Sequence, residues 1–196
     1  MPIPLGVLAV AGAGGGGAPP GPAFDLLTTT VVSTATSTVT FSSLNTYTNY
    51  RNLEIRGIAR SDFNNASGLL QDIRVRFNGD TGNNYVAHRL AGYGSSVNSQ
   101  TDGANANHIR VGEAVAAGDT PSNIFSGSII SILEFSSTNK NKTIRTIAGT
   151  HNPNESAVVF QSGMWNNTAA LTSIDLTSAF GNFVSGTRFS LYGIRG

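Results

Sequence analysis

No stretch of this chain keeps a helical period over ten residues. Its apolar residues instead alternate along short segments separated by Gly, Asn, Asp and Ser. That pattern excludes a helical bundle and any α/β fold with crossover helices, and it leaves an antiparallel sandwich or barrel. The clearest instance is Arg74 to Tyr85, RVRFNGDTGNNY. Ile73, Val75 and Phe77 share one face and Asp72, Arg74 and Arg76 the other, the two-residue period of a half-buried strand. Asn78 to Asn83 supply residues that tolerate positive φ, so the sequence predicts a hairpin returning along Tyr85.

Eleven strands are predicted on this basis. They are Phe24 to Val32, Thr38 to Leu44, Asn52 to Arg60, Leu69 to Phe77, Tyr85 to Ala91, His108 to Val111, Phe125 to Phe135, Lys142 to Gly149, Ala157 to Trp165, Thr172 to Thr177 and Arg188 to Ile194. The most helix-like piece, Val111 to Ala117, is short. No repeat of 20 to 50 residues is present, which disfavours a propeller or β-helix. The expected fold is all-β: one antiparallel β-sandwich over residues 24–196, with jelly-roll-like connections and an extended N-terminal arm.

The arm, residues 1–23, carries no charged side chain and holds five of the seven prolines. Leu5 to Ala11 would pass as a short signal-peptide core, but no Lys or Arg precedes it, so Met1 is expected to be retained. Gly14 to Gly17 with Pro19, Pro20 and Pro22 would break a membrane-spanning helix, so no membrane insertion is expected. Glycine loses the most conformational entropy on ordering, so such an arm holds still only against a surface. Ile3, Leu5, Val7, Leu8 and Val10 are the expected assembly anchor, buried against neighbouring subunits; the alternative is an arm folded back on its own domain.

Charge narrows the partners. Only 12% of residues are charged, about half the usual share, and the net charge is +1. The ten Arg and two Lys are scattered singly, which argues against nucleic acid, whose phosphates need clustered cations. Hydrophobic residues make up 39%, enough for a core. The chain has no cysteine, so disulfides and thiolate metal sites are excluded.

No motif carries chemistry. His88, His108 and His151 lack the spacing of a zinc site, and no metal or cofactor is expected. Asn78, Asp80, Asn83 and Asn84 offer oxygen ligands for calcium, but the order of the loop is wrong for one and turn chemistry accounts for them. Gly12 to Gly17 is no phosphate loop, since no strand precedes it and no Lys-Ser/Thr follows. A glycosidase pair such as Glu113 with Asp119 has no support, and there is no G-x-S-x-G elbow, so an enzyme is not expected. Asn65, Asn141, Asn154 and Asn166 head formal glycosylation triplets of a kind that arise by chance in so Asn- and Ser-rich a chain. Trp165, Tyr85, Tyr93 and Tyr192 are candidates for stacking on a sugar, with Trp165 and Tyr93 the possible glycan contacts; core and interface packing is the commoner role of such rings.

Several phrases in order, STVTFSSL (37–44), NLEIRGIAR (52–60), VRFNGDTGNNY (75–85), SSTNKNKTIRTIAG (136–149), GMWNNTAALTSIDL (163–176) and FVSGTRFSLYGIRG (183–196), resemble a family of tailed-bacteriophage virion structural proteins, decoration-like or short tail-fibre-like. The resemblance spans nearly the whole chain and its motifs are structural. It implies a homo-oligomeric β-sandwich in the virion, expected as a trimer, docked by its arm on capsid or tail subunits, with no active site. Exposed loops such as Gly94 to Asn107 and Asp119 to Asn123 would be candidates for touching a host surface glycan.

Overall fold

The computed structural model of the protein describes residues 23–64, 70–112, 115–116, 121–151 and 156–196. The anchor residues Ile3 to Val10, the Glu113 and Asp119 pair and the triplets at Asn65 and Asn154 lie outside them.

The strands in chain order are β1 (Phe24–Val31), β2 (Thr38–Phe41), β3 (Asn52–Ala59), β4 (Leu70–Gln71), β5 (Ile73–Phe77), β6 (Tyr85–Tyr93), β7 (Ser96–Ala106), β8 (Ile109–Arg110), β9 (Val115–Ala116), β10 (Ser126–Leu133), β11 (Lys142–His151), β12 (Ser156–Trp165), β13 (Ile174–Ser178) and β14 (Arg188–Ile194). One 3₁₀ turn, Leu44–Thr46, follows β2. An eight-stranded sheet runs β1-β14-β3-β10-β11-β12-β6-β7, a four-stranded sheet β2-β13-β5-β8, and β4 pairs with β9. Every pairing is antiparallel. The two larger sheets share one core, so the expected β-sandwich is the fold.

Two hairpin units, β6–β7 and β11–β12, widen the large sheet. Setting them and the β4–β9 ribbon aside, the other eight strands, counted along the chain, run 1-8-3-6 in the large sheet and 2-7-4-5 in the small one.

The core follows from alternation. Val39, Phe41, Val75, Phe77, Ile174 and Leu176 face inward from the small sheet, and Leu53, Ile55, Ile130, Ile132, Ile144, Phe189 and Leu191 from the large. Phe77, Tyr85 and Trp165 cluster at one end, with Phe77 and Trp165 centroids 5.8 Å apart and Tyr85 and Trp165 6.3 Å apart. Gly163 marks a close approach of the sheets: a Cβ there would lie 2.7 Å from Ile109 Cγ2 and 2.9 Å from Ile144 Cγ2.

Several expectations are corrected. The turn after Phe77 is not a hairpin, because β5 and β6 belong to different sheets. The side chain of Tyr85 reaches across, and its hydroxyl accepts the Phe77 amide proton at 3.2 Å. The predicted strand Leu69 to Phe77 divides into β4 and β5, which join different sheets. Val115–Ala116, for which the sequence predicts no strand, pairs with Leu70–Gln71. Gly94 to Asn107 is mostly strand β7 rather than a loop, returning along β6 through a two-residue turn whose first residue, Gly94, has φ 54°.

Candidate functional site

Pairs of neighbouring apolar residues on a strand point to opposite faces, so Ile129–Ile130 and Val158–Val159 feed both sides of the large sheet. Ile130 and Val159 are buried, whereas Ile129 and Val158 are 40% and 46% exposed. The pairing registers carry this across strands. Ile129, Ile147, Phe160 and Leu90 stand side by side on β10, β11, β12 and β6, a ridge roughly 14 Å long. The adjacent row is Ile58, Gly127, Gly149, Val158, Gly92 and Val97, from β3 to β7. Gly127 has nothing within 4 Å of where its Cβ would be. With Gly149 it floors an apolar hollow of about 440 Å³ walled by Ile129, Ile147 and Val158.

Among the described residues, ten large hydrophobic side chains are exposed, and all but Phe180 lie on this outward face. The seven from Ile58 to Val97 in the two rows leave open an area on the order of 600 Å², the top of the range for the largest patch on an ordinary monomer. Below the ridge runs a polar row of Glu54, Ser131, Arg145, Ser162, His88 and Thr101. His88 Nε2 is 3.1 Å from Ser99 Oγ, which orients the imidazole along β7.

The residues singled out from the sequence do not converge. Trp165 is 1% exposed, packed by Phe77 and Tyr85, and its Nε1 donates to Asp80 Oδ2 at 2.7 Å. Its faces are closed to a sugar, which corrects its reading as a glycan contact. Tyr85 is fully buried, and burial pushes its phenol up to about 12. Tyr93 is half-buried and accepts from Arg89 Nη1 at 3.4 Å. It sits at the opposite end of the β6–β12 pair from Trp165, roughly 26 Å away along the strands, so no two-ring sugar platform forms. Tyr192 packs at a tilt against Phe24, ring centroids 5.1 Å apart, with Arg56 over both rings.

In the Asn78–Asn84 connection the side-chain oxygens of Asn78 and Asp80 are engaged by protein protons, whereas Asn84 Oδ1 is buried without a partner. Asn78 Oδ1 accepts from the Thr172 and Ser173 amides at 2.7 and 3.1 Å. Asp80 accepts from the Gly82 amide, Asn84 Nδ2 and Trp165 Nε1, and the bonds from Asn84 and Gly82 contribute most to holding its carboxyl below the usual range. This is turn chemistry tying the two sheets together. His108 and His151 bond to Asn107 and Ser156, and among the described residues no three His, Asp or Glu side chains gather to hold a metal ion. No described helix is long and apolar enough to cross a membrane.

No family model, no curated protein and no solved structure matches the chain. The fold and site thus define a class only: an all-β sandwich with one broad apolar sheet face turned outward.

Proposed function

We propose that this protein is a non-enzymatic structural component of a tailed-bacteriophage virion: an oligomeric surface knob or short fibre, fixed to head or tail by its N-terminal arm. The observation that carries this reading is the apolar outward face of the eight-stranded sheet. A patch of that size on a chain of low charge belongs against protein, since leaving it in water forfeits about 25 cal/mol for each Å². The strand order supports a jelly roll carrying two added hairpins, an architecture that recurs in viral capsids and lectins. The resemblance of the RFSLYGI strand and its companion phrases points the same way, and the knob is read as a homotrimer.

Mass spectrometry and cryo-electron microscopy of washed particles test the proposal. Hundreds of copies over the shell would mark a decoration protein, and a multiple of three or six on the tail a fibre. Finding no copies in purified particles would reject it.

A further inference from the structure

The apolar outward face needs an occupant, and the chain supplies one. Residues 1–22 include Ile3, Leu5 and Val7 at a two-residue period, followed by Leu8 and Val10, with no charged side chain. We propose that the arm of a second copy lies in the trough over Gly127 and Gly149, its aliphatic side chains against Ile129, Ile147 and Val158. The inference rests on the virion reading and deepens it by naming the arm's partner.

Charge selects an arm over a second sheet face. The described residues of this face present Arg56, Arg145 and Arg188 against Glu54 alone, and Arg56 and Glu54 are already paired at 2.9 Å. Two such faces pressed together would bury like charges, which costs several kcal/mol, whereas the arm's side chains add none. A glycine-floored trough admits a narrow extended segment where a flat sheet would bridge over it.

The direction of the chain selects a second copy over the same one. The arm joins β1 at Phe24, which pairs with Ile194, which in turn pairs with Asn52. The trough lies at the other end of the sheet, on the row of Val31, Arg188, Ile58 and Gly127, roughly 20 Å back along the strands. Strand β1 therefore starts at the far end and runs toward the trough, and Pro19, Pro20 and Pro22 restrict φ in the sequence before it. Between the entry point and the trough stands the stack of Phe24, Tyr192 and Arg56, with Arg56 4.7 Å over Phe24. Twenty-two residues span at most about 75 Å, enough for the trough of either copy, so the direction of β1 and not reach is what favours a neighbour.

The chain has no cysteine, so single thiols report contact without background. Full-length Leu5→Cys and Val158→Cys chains, mixed and oxidised, should form an interchain disulfide joining positions 5 and 158, identified by mass spectrometry of the linked peptides. Its yield should be about tenfold that of Leu5→Cys mixed with Phe180→Cys, whose thiol lies off the face. Adding Phe160→Arg to the Val158→Cys chain should remove the excess while leaving circular dichroism unchanged. A link confined to one chain in the double variant at low concentration would overturn the second-copy assignment, and a yield equal to the Phe180→Cys control would overturn the arm as occupant. Neither result touches the virion reading, which is decided on particles.

Discussion

Two polar side chains show how single residues hold this sandwich. Lys142 is fully buried, and its ammonium donates to the carbonyls of Ser137, Lys140 and Thr168 at 2.7, 2.8 and 3.0 Å, matching its three protons to three acceptors. Burial lowers its pKa. Lys142→Met removes the donor and leaves three carbonyls without it; unfolding free energy should drop by about 3 kcal/mol, read as a lower urea midpoint at unchanged m. Asp80 gives the acid limb. Its carboxyl is held below the ordinary 3.8, so the unfolded chain takes up its proton first as pH falls. Its contribution is present above pH 3.8 and is lost as pH drops through the folded value. Asp80→Asn should flatten the acid side of the stability profile, followed by fluorescence of Trp165, the single tryptophan, which bonds to Asp80 itself.

At the scale of elements, the close contact of β8 with β12 is set by a missing side chain. Gly163 lets Ile109 sit against the large sheet, and Gly163→Ala should cost about 1–3 kcal/mol by overpacking. Combining it with Ile109→Val, which withdraws a methyl group, should recover part of that loss in a double-mutant cycle, whereas independent additivity would mean that Ile109 is not the obstructing neighbour. Strand β7 makes a different point. SVNSQTDGANA has little β-propensity, yet it pairs with β6 over most of its length. Pairing uses backbone groups that every residue carries, and the Gly94 turn delivers the strand into register. Its polar side chains suit an edge, where apolar ones would invite further strands.

For the whole molecule, the exposed apolar side chains of the outward face contribute little to the stability of one domain. Phe160→Arg, at a side chain 50% exposed, should change unfolding free energy by less than about 0.5 kcal/mol. The same substitution should abolish self-association measured by analytical ultracentrifugation. Removing residues 1–22 should leave circular dichroism that of a folded β-protein, because the described core residues from Val32 to Leu191 already join the two sheets, while incorporation into particles is lost. Normal incorporation of the truncated chain would show that the arm is not the anchor.

Local pattern along the chain was enough for the fold class and for its punctuation. Alternation in IRVRF and RFSLYGI placed β5 and β14, and the Asn- and Gly-rich stretches placed the chain reversals, because side-chain period and positive φ are local properties. Ile129–Ile130 and Val158–Val159 already carried the signal of a sheet apolar on both faces. Only the tertiary structure decided that the turn after Phe77 crosses between sheets, that β7 is a strand, that Trp165 belongs to the core and that Ile129, Ile147, Phe160 and Leu90 form one ridge. Those outcomes depend on which distant segments pair. Pairing is made by backbone hydrogen bonds common to all residues and by packing across the sandwich, neither of which is written in the local pattern.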